Sequence, residues 1–409
     1  MKILLLSDNF PPETNAPASR TYEHARQWVR AGHEVTVITC APNFPQGILY
    51  AGYRNHWHQV EVVVGICVVR VKTYMTANEG VWRRSLDHLS FMFSSVIAGL
   101  FEQRPDVVVA TSPQFFCACG GWLLSALRRL PFVFELRDLW PATILAVGAM
   151  KMGVLVWSLE WVELFLYRHA DRIVSVTEAF KKDLVARGIP GDRIAVVTNG
   201  VDLRHFVPQE RDRDWIRQIG VEGRFVVGYV GTHGLTHGLE TVLAAAKLLE
   251  DERKIIFLFV GAGAERANLQ RAVLEQGISN VRFLEPQTKD RMPRLWAVCD
   301  VALIPLKNRD VFTTVIPSKM FEAMAMGIPI VMSIPDGEAT RVLSECEAGI
   351  VVPPEDPPAM AEAIRRLLHN DRIRIAFGAN GAKSAGNYSR DKKADMMLTV
   401  LRDVAEAVR

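Results

Sequence analysis

The segment Val315-Ile-Pro-Ser-Lys-Met-Phe-Glu-Ala-Met-Ala-Met-Gly-Ile-Pro-Ile330 combines residue types that suit an anion with types that suit a diol. Pro317 at the first turn of a helix leaves nearby backbone N–H groups free, and a helix N-terminus attracts negative charge. Ser318 adds a hydroxyl and Lys319 a cation at that end. Glu322 stands three residues after Lys319, on the same helical face. A carboxylate there accepts hydrogen bonds from a ribose diol, so one turn would grip both the phosphates and the pentose of a nucleoside diphosphate. The plain alternative is a Lys–Glu surface pair. Gly327-Ile-Pro329 behind the turn and the loop ahead of it favour a site.

A second segment, Gly228-Tyr-Val-Gly-Thr-His-Gly-Leu-Thr-His-Gly-Leu239, takes a strand into a glycine-rich loop and then a helix. Gly231, Gly234 and Gly238 let backbone approach an anion closely. His233 and His237 are expected to donate to phosphate oxygens, with Thr232 between the glycines. A third, Phe259-Val-Gly-Ala-Gly-Ala-Glu265, repeats strand then Gly-x-Gly through Gly263. It fails to complete GxGxxG because residue 266 is Arg, which disfavours a nicotinamide dinucleotide. In the first half, Glu135-Leu-Arg-Asp-Leu-Trp-Pro141 ends a buried strand in charge. Arg137 and Asp138 are expected to meet substrate, whereas Glu135 is better read as part of a structural ion pair. The loop Asn9–Ala18, long for a connection of this kind, is a further candidate for ligand contact.

These residues need a scaffold, and the pattern supplies it. Strand, loop and helix repeat from Lys2–Ser7 onward, with strands also expected at Glu34–Cys40, Val62–Val71, Asp106–Thr111, Phe132–Leu136, Arg172–Val176 and Ile194–Thr198. After the link Asn199–Pro208 the alternation restarts, with six more strands and helices near 238–250, 264–276, 317–326 and 357–368. Nearly continuous apolar strands between helices indicate parallel sheets covered on both faces. The 409 residues exceed what one core usually fills. The expected architecture is therefore α/β, two doubly wound Rossmann-like domains facing across a cleft. The first spans 1–204 with a C-terminal helix, 387–409, packing back on it; the second spans 205–386.

The 48 Lys+Arg against 45 Asp+Glu leave a net charge of +3, too small for a nucleic-acid binder. The six cysteines form no CxxC pair and are expected to be reduced thiols. The apolar run after Met1-Lys2 is too short for an export signal, and no run suffices to span a bilayer. No metal constellation is expected. Two stretches suit a membrane surface: 81–101, where Arg83 and Arg84 precede Leu86, Phe91, Phe93 and Ile97, and 153–167, for which a core-facing helix is favoured.

Together these segments resemble the retaining glycosyltransferases of family 4, with the GT-B fold. The likeness runs over nearly the whole chain: Phe10-Pro-Pro-Glu13, Gly32-His-Glu-Val-Thr-Val37, Ser175-Val-Thr-Glu178, Asn199-Gly-Val-Asp202, Val260-Gly-Ala-Gly263 and Phe321-Glu-Ala-Met-Ala-Met-Gly-Ile-Pro329. The Arg137-Asp-Leu-Trp-Pro141, Gly231-Thr-His-Gly234 and Pro317-Ser-Lys319 variants are similar to a bacterial surface-polysaccharide subgroup that includes fucosamine transferases of O-antigen loci and colanic acid transferases. Several positions depart from the family pattern. Asn15-Ala16 stands where Gly-Gly is common in the acceptor-side first loop. Thr232 and His237 replace an Arg and a Lys that hold the donor diphosphate, and Lys319 is the nearest replacement cation. Thr314 occupies the place of the first of two glutamates, leaving Glu322. Arg137 precedes Asp138 where His is common.

The resemblance implies metal-independent transfer of a sugar, an N-acetylated amino or deoxy sugar among the candidates, from a UDP-sugar with retention at the anomeric carbon, and no cofactor. It implies an acceptor that is a lipid-diphosphate-linked sugar at the inner face of the plasma membrane, reached through 81–101, in a cytoplasmic protein. Catalysis would rest on stabilising the departing diphosphate, with Lys319, Ser318, Pro317 and the 231–234 backbone on the donor and Arg137 and Asp138 orienting a sugar. Two rivals share the fold: a UDP-sugar 2-epimerase, for which no acid/base carboxylate set is evident, and a non-catalytic nucleotide-sugar-binding subunit. Conversion of a UDP-sugar with no acceptor present would discriminate the first.

Overall fold

The computed structural model describes residues 1–13, 15–44, 46–76, 81–112, 114–139 and 153–407. The chain divides into two compact units, Met1–Thr198 with Arg390–Arg409, and Asn199–Ser389. Both crossings between units lie where Val201 bridges Ser389 in parallel, so the second unit clamps its own two ends together.

The first unit is built on an eight-stranded sheet in the order β3-β4-β2-β1-β5-β6-β7-β8. Its strands are β1 Lys2–Leu6, β2 Glu34–Cys40, β3 His58–Val63, β4 Ile66–Val71, β5 Val107–Thr111, β6 Phe132–Leu136, β7 Arg172–Ser175 and β8 Ile194–Val196. Successive residues serve opposite faces, as the strand period requires. Ile3 and Leu5 pack with Trp28 and Leu398, while Leu4 and Leu6 pack with Phe91 and Leu124. One expectation fails here: Val62–Val71 is not one strand but the antiparallel hairpin β3–β4. Val64 and Gly65 both take positive φ, 51° and 82°, which is the tight two-residue turn that reverses a strand.

Helices α1 Ala16–Arg30, α2 Val81–Phe101, α3 Phe115–Arg128, α4 Val154–His169 and α5 Glu178–Ala186 accompany this sheet. The final helix, Arg390–Ala407, returns to it. The Trp28 indole of α1 donates to the Ala394 carbonyl at 2.9 Å, which anchors that return.

The second unit carries a six-stranded parallel sheet in the order β11-β10-β9-β12-β13-β14. The strands are β9 Phe225–Val230, β10 Ile255–Val260, β11 Val281–Leu284, β12 Val301–Pro305, β13 Ile330–Ser333 and β14 Gly349–Val352. β9, β10 and β12 are buried from end to end, as in a sheet covered on both faces. Strand order reverses beside β9, with β10 on one side and β12 on the other. In open α/β sheets ligands bind beyond the carboxyl ends of the strands at such a reversal.

Candidate functional site

β9 ends at Gly231, and its pairing with β10 continues past both strands. Gly231 N–H donates to the Val260 carbonyl at 2.9 Å, His233 N–H to Ala262 at 2.8 Å, and Glu265 N–H to His233 at 2.9 Å. The two glycine-rich loops therefore interlock. A Cβ on Gly261 would collide with the Gly231 carbonyl, and one on Gly263 with the His233 carbonyl. This backbone contact accounts for Gly263. The Arg266 side chain, whose place broke the dinucleotide motif, braces the pair by donating to the Gly261 and Leu284 carbonyls.

The helix Ser318–Ala325 presents its N-terminus to the same corner. Pro317 occupies the N-cap rather than the first helical position, and no side chain caps that end. From the first turn the Lys319 stem crosses to β9, where Nζ sits 4.0 Å from the centre of the Tyr229 ring. Tyr229 is held by its hydroxyl, which donates to the Thr232 carbonyl at 2.6 Å. The ring face attracts the ammonium, yet Nζ is shielded from solvent and has no hydrogen-bond partner. Burial lowers the Lys319 pKa from its ordinary 10.5 to about 7, and the Glu322 carboxylate opposes that shift. Glu322 lies one turn on and accepts a hydrogen bond from the Trp296 indole at 3.2 Å. A buried cation left without a full partner is unfavourable unless a ligand supplies one.

The two histidines differ from the expectation. The His233 ring is fully buried, 5.8 Å from Tyr229 and 6.1 Å from both Phe259 and Phe283, and neither ring nitrogen has a partner. Three aromatic walls fix it there, so its ring is not a phosphate donor; the loop's backbone keeps that capacity. Burial, then Arg266 and Lys319, push its pKa down to about 4. His237 is half-buried with Nδ1 3.3 Å from the Thr236 hydroxyl. Burial and Lys319 push it to about 4 as well, so it meets a ligand as a neutral ring. Thr232 is exposed, and Gly234 accepts from the His237 N–H at 3.1 Å. The second unit thus brings Gly231, Thr232, Gly234 and His237 together with Lys319. Tyr229, Trp296 and Arg266 are supporting residues that sequence reasoning missed.

In the first unit, Arg137 and Asp138 follow β6 and direct their backbone N–H groups to the Ser112 hydroxyl at 2.7 and 3.3 Å. Burial lowers the Arg137 pKa to about 10, with Glu135 opposing. Trp140 and Pro141 lie outside the described residues. Glu135 is a structural partner, 3% exposed, paired with Arg20 at 2.8 Å rather than with its sequence neighbour. Burial pushes its pKa up, but Arg20, Arg137 and His24 outweigh that and hold it at about 2. Arg20 also donates to the carbonyls of Val197 and Thr198, tying α1 to the end of the unit. Asn15 caps α1, accepting from Ala18 N–H at 2.9 Å and donating to Asn9 at 2.5 Å, and the exposed Ala16 is the first helical residue. These two are therefore accounted for by the helix start.

On α2, Leu86, Phe93, Ile97 and Phe101 are exposed along one stripe, near the exposed Arg83 and Arg84. On α4 the favoured core reading holds for Val156, Leu166 and Tyr167 but not for Trp157 and Trp161, which are 66% and 60% exposed. Among the described residues, no helix is long and apolar enough to cross a membrane. All six cysteines are free.

Two doubly wound units, the second with interlocked glycine loops beside an anion-seeking helix end, define a class, and family comparison states it. Residues 15–200 match the glycosyl transferase 4-like domain, and residues 224–370 match glycosyl transferases group 1. The chain belongs to these glycosyltransferases, and its fold is GT-B. It is 27% identical over 378 residues to WcaI of Escherichia coli K12, a glycosyl transferase named for colanic acid biosynthesis, covering 90% of this chain and 92% of that one. Sucrose-phosphate synthase from Thermosynechococcus elongatus shares the fold at TM-score 0.77 and 18% identity, each chain 99% covered. Anabaena HepE, solved with UDP, shares it at TM-score 0.71 and 17% identity, covering 98% of this chain and 100% of that one.

Proposed function

We propose that the protein transfers a sugar from a UDP-sugar, with retention and without a metal, to a lipid-diphosphate-linked saccharide in bacterial surface-polysaccharide synthesis. The observation that carries this reading is the buried Lys319 ammonium, lacking a hydrogen-bond partner, under the Gly231–Gly234 loop at an uncapped helix end. Its flexible stem lets the ammonium leave the Tyr229 ring and pair with the diphosphate. Ser318 and the free N–H groups of the helix share the charge that develops as the sugar departs. Glu322, oriented by Trp296, takes the ribose hydroxyls. Arg137 and Asp138 orient a sugar from the first unit. The likeness to WcaI supports the pathway class, and the UDP held by HepE supports the donor base.

The test is calorimetric titration with UDP, GDP and ADP. UDP is expected to bind, and Glu322→Ala is expected to weaken it roughly tenfold, about 1.4 kcal/mol, with the donor KM raised and acceptor affinity spared. Unchanged UDP affinity would remove Glu322 from the ribose. For the membrane, the exposed α2 stripe beside Arg83 and Arg84 suits anionic lipid. Replacing both arginines with Ser is expected to reduce sedimentation with phosphatidylglycerol vesicles; undiminished binding would assign attachment elsewhere.

A further inference from the structure

The eight-stranded sheet of the first unit ends on β3, which among the described residues pairs only with β4. The hairpin turn fixes how its backbone groups are used. Val64 and Gly65 form a two-residue turn with positive φ at both positions, and such a turn closes on a hydrogen-bonded pair, here Val63 with Ile66. Along an antiparallel ladder, alternate residues turn their N–H and C=O to the same side. Val63, Glu61 and Gln59 therefore turn theirs to β4, and Val62, Val60 and His58 turn theirs outward to the open edge.

Proteins guard such an edge with Lys, Pro or a bulge. β3 reads His-Gln-Val-Glu-Val-Val and carries none of these, and its register with β4 is unbroken from His58 to Val63. Val60 and Val62 are 52% and 73% exposed. Their cross-strand partners, Val69 and Cys67, pack in or against the core beneath α2, so both valines stand on the α2 side of the sheet. Glu102, just past α2, meets His58 Nε2 at 3.5 Å and ties the end of that helix to the strand. Phe101 beside it and Trp57 just ahead of β3 are strongly exposed and extend the apolar surface on either side.

We propose that this edge pairs antiparallel with the same edge of a second copy of the chain, giving a two-fold dimer with one sheet running through both first units. The charges and the outward groups select the register. A two-fold axis at Glu61 would set that carboxylate against its own copy, and like charges directly opposite are unfavourable. An axis at Val62 would carry Val60 against Val64, which lies in the turn at φ 51° and is not extended. Only an axis at Val60 pairs all three outward-turned residues with one another: Val60 with Val60, and His58 with Val62 on each side. Each of these pairs exchanges backbone hydrogen bonds. On the other face the same register sets Gln59 against Glu61, so the carboxamide donates to a carboxylate whose other partner is Arg70 at 2.6 Å. A two-fold contact uses this edge in both copies and closes at two. The inference stands apart from the transferase reading, because β3 belongs to neither site described above.

The experiment is sedimentation velocity on the full chain over a concentration series, with UDP affinity measured on every variant. The 45.8 kDa chain is expected to sediment as a species of twice that mass. Val60→Pro removes an outward N–H and no bond to β4, a place where an edge strand tolerates proline, and is expected to leave only monomer. Gln59→Glu places a carboxylate opposite Glu61 on both sides of the axis and is expected to weaken the dimer about tenfold. Gln59→Lys is expected to tighten it. All three should keep UDP affinity within about twofold, as β3 lies outside the nucleotide site. If Val60→Pro fails to fold, the two Gln59 variants decide. The proposal is overturned if the wild-type chain is monomeric at every concentration, if it forms species larger than a dimer, if Val60→Pro still dimerises, or if Gln59→Glu and Gln59→Lys shift the equilibrium in the same direction. A dimer with this response and no affinity for UDP would instead break the nucleotide reading and leave the edge contact standing.

Discussion

Two buried charged corners of this molecule solve the same problem in opposite ways. At the end of β6, Arg20 and Glu135 sit 2.8 Å apart, 7% and 3% exposed, and Arg20 also donates to two backbone carbonyls. At the end of β9, the Lys319 ammonium is shielded from solvent, lies against the Tyr229 ring one turn from the Glu322 carboxylate, and has no hydrogen-bond partner. Removing a charge from water is costly in both places. The first corner offsets the cost within the fold and so holds elements together. The second leaves part of it uncompensated, and only a ligand can supply the rest. The teaching is that satisfaction, rather than burial or charge, separates structural ions from functional ones.

The sharpest test of that contrast is to remove one partner at each corner. Glu135→Ala leaves Arg20 and Arg137 facing each other in a dry site. Breaking a buried pair this way costs about 3–5 kcal/mol, so chemical denaturation should show a loss of that size with UDP affinity retained by the folded fraction. A loss under about 1 kcal/mol would mean the pair is dispensable. Lys319→Met should do the reverse. UDP binding should weaken by about 2 kcal/mol, roughly thirtyfold, as when a charged hydrogen bond is lost. The melting temperature should hold or rise, because an unpartnered buried cation is gone. A drop in melting temperature with normal UDP affinity would make Lys319 structural and erase the contrast.

How much of this was legible in the sequence follows from range. Glu34–Cys40, Phe132–Leu136 and all six strands of the second unit appear where apolar runs between turn residues put them, because burial on both faces writes itself into consecutive residues. The 318–322 turn was legible for a similar reason: its residues are neighbours in the chain. The helix Asp371–Ala385 was not, since Gly378, Asn380 and Gly381 in its interior oppose helix formation. Its Gly378 is explained only by the close approach of the Gly327 carbonyl, which a Cβ would strike. His233 was misjudged for the same cause. A histidine in a glycine-rich loop suggests a donor, and the Phe259 and Phe283 that enclose it come from other strands. Arg20 as the partner of Glu135 lies 115 residues away, beyond any local pattern.

The smallest expected effect probes the unsatisfied corner without mutation. Lys319 titrates near 7 in the free protein, below its ordinary 10.5, so the folded state prefers the neutral amine. Between those values the unfolded chain binds more protons, and this group makes stability rise with pH. Ligand binding carries the opposite sign. A diphosphate favours the ammonium and raises its pKa in the complex, so binding takes up a proton above about pH 7. Affinity for UDP-glucose should therefore fall as pH rises from 7 to 9, by at most about tenfold per unit. The neighbours do not mask this: His233 and His237 titrate near 4, and burial drives Tyr229 far above its ordinary value. Calorimetry in two buffers of different ionisation enthalpy reads the proton uptake directly. A flat profile, or proton release, would place the ammonium already charged and paired in the free protein, and the two corners would then be alike.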